Sequence, residues 1–252
     1  IDDPEIDEEM ALMQGASAAL DSGIGEILDA FESRGIDENT VFVFTTDHGL
    51  DFPRAKGTMF DPGIEVFLFV RYAGIGGGRV IDDLVSHTDI YPTLLELCGI
   101  SVPDETDGLS LLSLLRTDPD RERRDTVYFE KTYHDNYDPI RGLRTQKYKY
   151  VMNFDAQTLY DVRIATAPRY NWFRTSIKKY TQDELYDLGR DPDEVTNLAD
   201  RPDAQDVRND LRKRLARWMA ETNDPLLDGP VPSPYHLRMS AMMKELAKDV
   251  TE

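Results

Sequence analysis

Asp47, His48 and Lys56 are the residues of this chain whose types and spacing most directly suggest chemistry. They lie in VFVFTTDHGLDFPRAKGTMFDPG, residues 41–63. Asp47 and His48 offer an oxygen and a nitrogen ligand side by side, and Gly49 lets the chain turn away. Lys56 follows in a loop with Pro53, Gly57, Pro62 and Gly63, close enough to set a cation beside an anion held by a metal. A carboxylate, an imidazole and an ammonium gathered in this way suit metal-assisted hydrolysis of an anionic ester. Taken alone, the Asp-His pair equally suits a turn whose Asp caps local amides, and Lys56 suits a solvated surface.

The elements needed to position these groups are legible nearby. Val41–Phe44 and two threonines read as a buried parallel strand that presents polar side chains at its C-terminal tip, where open α/β sheets bind ligands. Glu8–Ser33 carries Met13, Ala16, Leu20, Ile24 and Phe31 at helical spacing, with Gly35 as its stop. Residues 64–71, IEVFLFVR, read as a second buried strand. Thr88 is placed to cap a helix, Pro92 falls in its first turn and Gly99 ends it. Gly74–Gly78 is a loop without the strand–helix setting of a phosphate cradle.

Beyond residue 120 the pattern changes. Strands are expected at Thr126–Lys131, Ile140–Thr145 and Tyr148–Asn153. A helix over Asp203–Thr222 aligns Val207, Leu211, Leu215 and Trp218. This predicts a small antiparallel sheet packed with one helix. Residues 226–252, with Pro230, Pro232 and Pro234, read as a surface extension or an oligomer contact.

Two blocks add to the Asp-His-Gly turn: Val85–Ile100 (VSHTDIYPTLLELCGI) and Glu184–Leu198 (ELYDLGRDPDEVTNL). With Lys56-Gly57-Thr58 and Asp107–Leu111, they resemble the formylglycine-dependent sulfatases of the alkaline-phosphatase superfamily. Phe52-Pro53, Leu215–Trp218 and Glu221–Pro225 look most like the heparan N-sulfatase (sulfamidase) branch. The resemblance implies an α/β fold. Residues 1–120 would be the C-terminal portion of an alkaline-phosphatase-like α/β sandwich, 121–225 a C-terminal subdomain, and 226–252 an extension.

For function, the resemblance implies hydrolysis of a small-molecule or saccharide sulfate ester or sulfamate. Asp47 and His48 would bind a divalent metal, Ca²⁺, and Lys56 would stabilise charge on the sulfate. His134 and Arg141 would meet the substrate, with Arg144 a second candidate of more structural character. His87 reads as a local turn or cap residue. A phosphodiesterase or phosphonate monoester hydrolase shares the Asp-His-Gly strand tip, and a non-catalytic remnant would keep the fold.

The formylglycine precursor, Cys/Ser-x-Pro/Ala-x-Arg, is absent. The single cysteine, Cys98, sits among apolar residues that read as helix core. Ser101-Val-Pro-Asp-Glu105 and Ser17-Ala-Ala-Leu-Asp21 both lack the final Arg. The expected nucleophile therefore belongs to a missing N-terminal part, and this chain alone is expected to be inactive. A half-sheet with an open strand edge is also expected to fold poorly alone.

Net charge is −19, spread along the chain, with arginine prevailing over lysine. No basic stripe invites nucleic acid. No apolar run approaches a membrane span. Such an acidic, lysine-poor surface suits a salt-rich setting or an ordinary acidic protein.

Overall fold

The computed structural model describes residues 4–52, 54–118, 123–134, 137–155 and 181–251. The chain divides into two compact units interleaved along the sequence. One comprises Ile1–Thr46, Val66–Asp82 and Ile90–Arg121; the other comprises Asp47–Glu65, Asp83–Asp89 and Glu122–Glu252.

In the first unit, helix α1 spans Pro4–Ser33 and ends where Gly35 adopts φ 64°, as its glycine predicted. Strand β1 (Phe42–Thr45) pairs with β2 (Leu68–Arg71), Phe42 opposite Arg71 and Thr45 opposite Leu68. The pairing is antiparallel, which corrects the expectation of a buried parallel strand. An apolar run reports burial tendency but carries no information on strand direction. Phe42, Val43 and Phe44 are half-buried, and Phe67 and Phe69 are exposed. Edge-to-face contacts of Phe42 with Phe31 and Phe69 join α1 to the pair.

The second unit holds the short helix α2 (Asp61–Ile64). Back in the first unit, helix α3 (Ile90–Leu97) holds Pro92 in its first turn and stops at Gly99, φ 70°. Thr88 does not cap it by its hydroxyl, which donates to Ser86 Oγ. Cys98 lies exposed in the turn after α3, not in a core. Thr93 Oγ1 accepts from Leu111 N at 2.8 Å, just ahead of helix α4 (Leu112–Leu115).

The second unit is built on a four-stranded antiparallel sheet in the order β3-β4-β5-β6. Its strands are β3 (Val127–Tyr133), β4 (Tyr137–Arg144), β5 (Tyr148–Asn153) and β6 (Asp183–Asp187). Helix α5 (Gln205–Glu221) follows, then helix α6 (Pro234–Thr251).

Side chains alternate across each strand, so the sheet has two distinct faces. On one, Leu143, Tyr150 and Leu185 pack with Leu211, Leu215 and Met219 of α5. The 4-residue spacing of those helix residues makes the stripe, and Tyr128 stacks on Trp218 with ring centroids 4.8 Å apart. This is the anticipated sheet-and-helix subdomain. The other face carries Lys131, Arg144 and Lys149 and grips residues 57–61.

Among the described residues, no helix is long and apolar enough to cross a membrane.

Candidate active site

Asp47, His48 and Gly49 form a tight turn at the start of the second unit's first segment. Gly49 N donates to Gly63 O at 3.1 Å, and Lys56 N donates to Leu50 O at 2.9 Å. The turn and the Lys56 loop are thus tied together by backbone. Gly49 is required by space: a Cβ there would stand 1.8 Å from Pro62 O. Gly63 answers the same need, since its Cβ would come 2.4 Å from Ala55 O and 2.6 Å from Thr58 O.

Asp47 Oδ1 accepts from His48 N at 3.0 Å, a local cap of the kind an Asp in a turn makes. Its Oδ2 lies 3.4 Å from His48 Nε2, and the Asp47 side chain is 86% exposed. His48 Nδ1 sits 2.8 Å from Gly49 O. A carbonyl only accepts, so Nδ1 carries the hydrogen and a neutral ring leaves Nε2 with its lone pair. This is how a ligating histidine is commonly oriented. The pair therefore fits two places in a cation's shell. Among the described residues no group of three or more His, Cys, Asp or Glu side chains could hold a metal.

Lys56 is half-buried in its loop, beside the buried Thr58, whose hydroxyl donates to Ala55 O at 2.7 Å. Pro53 lies outside the described residues. Arg54, held at φ 61°, places its guanidinium 3.8 Å from the Phe60 ring centroid and donates to Asp193 O and Glu194 O.

Below the loop lies an ion network that sequence reasoning missed. Lys149 Nζ, fully buried, is 2.6 Å from Asp61 Oδ1 and 2.6 Å from Glu194 Oε1. Arg144 binds both Asp61 oxygens, and Asp61 N donates to Glu194 Oε2 at 2.6 Å. Burial pushes the Glu194 carboxyl up, only partly offset by Lys149. Burial also works to raise Asp61, but the Arg144 hydrogen bond and Lys149 outweigh it and hold that carboxyl below its ordinary value.

This gives the Glu184–Leu198 block a physical meaning. Asp191 accepts from the amides of Val195 and Thr196. Asn197 Oδ1 accepts from Leu185 N and Ala199 N. The turn so formed delivers Glu194, in left-handed backbone at φ 53°, to Lys149. The one available signal was a string of polar residues around a strand, too many to be idle.

Arg141 lies on the helix face of the sheet and is 2% exposed. Its guanidinium bonds both oxygens of Asp224, Lys131 O, Ile140 O and Thr132 Oγ1. All five N–H groups have acceptors inside the unit. His134 is exposed at the turn after β3. Backbone bonds thus hold the Asp47-His48 turn beside the Lys56 loop, while Arg141 lies on the opposite face of the sheet from that loop. Asp89, in the same unit, was also unanticipated: fully buried, it accepts from Ser86 N and pairs with Arg124.

The structural neighbours of this chain include sulfatases, which share the alkaline-phosphatase-like fold. Residues 48–174, half of the chain, match the family described as N-sulphoglucosamine sulphohydrolase, C-terminal, and the chain belongs to that sulfatase family. It is similar to an ulvan-active sulfatase of Formosa agariphila, 32% identical over 78% of this chain and 41% of that protein. A structure solved in complex with its substrate D-glucosamine-2-N,6-O-disulfate aligns with TM-score 0.67 at 23% identity, covering 83% of this chain and 40% of that one. The phosphonate monoester hydrolase of Agrobacterium radiobacter aligns with TM-score 0.62 at 27% identity, over 81% and 40%. The chain thus spans about two fifths of the length of these proteins.

Proposed function

We propose that this chain is the C-terminal part of a sulfatase acting on saccharide sulfate esters or sulfamates. The observation that carries the reading is the Asp47-His48 turn, hydrogen-bonded to the loop of Lys56, within a chain of the sulphohydrolase family.

Asp47 and His48 Nε2 would hold a divalent cation, Ca²⁺ in our reading, together with ligands beyond these residues. A carboxylate suits a hard cation, and the imidazole is the softer contact. When bound, the cation would neutralise sulfate charge and orient the attacking group. Lys56 would donate to a sulfate oxygen and stabilise charge developing toward the leaving atom. His134, exposed on its turn, would approach the sugar. The Cys/Ser-x-Pro/Ala-x-Arg precursor of formylglycine does not occur in the 252 residues, so turnover would need a nucleophile from outside them. A phosphonate monoester hydrolase is the second reading, favoured by the Agrobacterium structure.

The test begins with the coding sequence immediately upstream of Ile1, translated in frame. Two adjacent aspartates and a Cys/Ser-x-Pro/Ala-x-Arg motif are expected there. The whole protein is then assayed on an aryl sulfate, glucosamine N-sulfate, glucosamine 6-sulfate and an aryl phosphonate monoester. Faster turnover of a sulfated compound supports the proposal. Preference for the phosphonate, or no turnover of any of them, overturns it.

A further inference from the structure

Two buried ammonium groups hold the loop on which Lys56 stands. Lys131 Nζ, from β3, donates to Gly57 O at 2.7 Å. Lys149 Nζ, from β5, donates to Met59 O at 3.1 Å. The gripped carbonyls belong to the first and third residues after Lys56. Each ammonium is in turn fixed by carboxylates: Lys131 by Asp138 at 2.5 Å, Lys149 by Asp61 and Glu194 at 2.6 Å each. The Lys131 side chain is 8% exposed and that of Lys149 is 0%.

A buried ammonium is costly to desolvate, and an apolar side chain of similar volume commonly serves stability as well or better. Stability alone therefore gives a weak account of two such groups beneath one short loop. What they supply and a methyl group does not is direction, because each fixes a carbonyl oxygen at a defined point. Of the loop's own bonds, Lys56 N to Leu50 O ties it to the chain just past the Asp-His turn, and Thr58 N to Ala55 O closes it on itself. The two lysines constrain it from the sheet.

We infer that Lys131 and Lys149 are positioning residues that set the place of Lys56 relative to Asp47 and His48. The inference rests on the proposed role of Lys56 in sulfate hydrolysis. Displacement of a reacting group by about 1 Å costs on the order of 100-fold in rate, so loss of one clamp is expected to lower kcat with little change in KM.

The experiment uses the whole protein and the substitutions Lys131→Met and Lys149→Met, each alone and combined with Lys56→Ala. Steady-state kinetics on the preferred sulfate ester is paired with amide hydrogen exchange. For Lys131→Met, kcat is expected to fall about 10- to 100-fold in the parent background. It should change less than about twofold in the Lys56→Ala background, since a clamp acting through Lys56 has nothing left to position. Exchange should quicken at residues 56–59 while α5 keeps its protection. A similar fall in both backgrounds, or lost protection across the whole sheet, would show a general structural role and overturn the inference. So would unchanged kinetics.

If Lys149→Met does not fold, Lys131→Met alone decides. If the parent turns over no sulfate ester, the functional reading fails while exchange still judges the clamp. Faster exchange confined to residues 56–59 then upholds it, and unchanged exchange there overturns it.

Discussion

Arg141 and Arg144 stand three positions apart on β4 and leave the strand on opposite faces. Arg144 reaches Asp61 beside the Lys56 loop, whereas Arg141 reaches Asp224 just past α5. Two arginines that look interchangeable in the sequence therefore hold together different interfaces of the second unit.

Removing Arg141 should be felt in stability. Both partners of the Arg141–Asp224 pair are 2% exposed, and truncating one partner of a buried pair costs about 3–5 kcal/mol. Arg141→Met is expected to lower the urea midpoint accordingly, and Arg141→Met/Asp224→Leu to recover part of the loss. Because Arg141 was also a candidate for substrate contact, KM is measured on the same variant. A large rise in KM with an unchanged midpoint would assign it to the substrate instead.

Lys56→Ala should act in the reverse sense. Its side chain takes no part in the ion network below the loop, so the unfolding midpoint should move little. Losing a donor aimed at developing charge costs about 100- to 1000-fold in kcat. A kcat within tenfold of the parent would remove Lys56 from the chemistry.

Much of this arrangement was legible beforehand, and the misses share a cause. Tyr148–Asn153, expected as a strand from its aromatic and β-branched residues, forms β5 at those bounds. Leu211 and Leu215 marked the α5 stripe correctly. Strand β6 was not anticipated because Asp183, Glu184 and Asp187 make it read polar. Glu184 is satisfied only in three dimensions, by Asn153 Nδ2 and the Tyr186 hydroxyl. Lys149 likewise looks like an exposed strand lysine until Asp61 and Glu194, far away in sequence, enclose it. Period and propensity report on local neighbours; ion partners and strand direction are settled by distant ones.

The Asp61 and Glu194 carboxyls should leave opposite marks on the pH dependence of stability. Asp61 is held below its ordinary value, so its contribution is fully present above about pH 3.9 and is lost as pH falls through the lower folded value. Glu194 is raised, so the folded form keeps its proton longer than the unfolded chain. Its ionisation therefore costs stability as pH rises from about 4.3 through the folded value. Urea midpoints measured across the acid range up to neutrality should show a shallower acid-side loss for Asp61→Asn. Glu194→Gln should show a weaker decline on the higher side. Slopes matching the parent in both variants would dissociate the network from the pH response.

Asp47→Ala and His48→Ala should each weaken binding of Ca²⁺ by the whole protein, followed by calorimetry after chelation. Of the two, Asp47→Ala is expected to do more, because a carboxylate suits a hard cation better than an imidazole does. Affinity unchanged in both would place the cation elsewhere.

Gly49→Ala and Gly99→Ala separate the demands of space and of backbone conformation. Gly99 sits at φ 70° with nothing within 4 Å of where a methyl group would stand, so alanine meets only conformational strain there, about 1–2 kcal/mol. Gly49 has no such φ, but its added carbon would lie 1.8 Å from the Pro62 carbonyl oxygen, and that backbone cannot swing aside as a flexible side chain would. The Asp47-His48 turn must then lift away from the 55–63 loop, breaking the Gly49–Gly63 hydrogen bond and carrying the two candidate ligands away from Lys56. Overpacking of this kind costs about 1–3 kcal/mol, while a shift near 1 Å between reacting groups costs about 100-fold in rate. Gly99→Ala should therefore lower the melting temperature and leave kcat near that of the parent. Gly49→Ala should lower kcat by about two orders of magnitude for a comparable loss of stability. Equal kcat in the two variants would mean that the close approach of turn and loop serves folding alone.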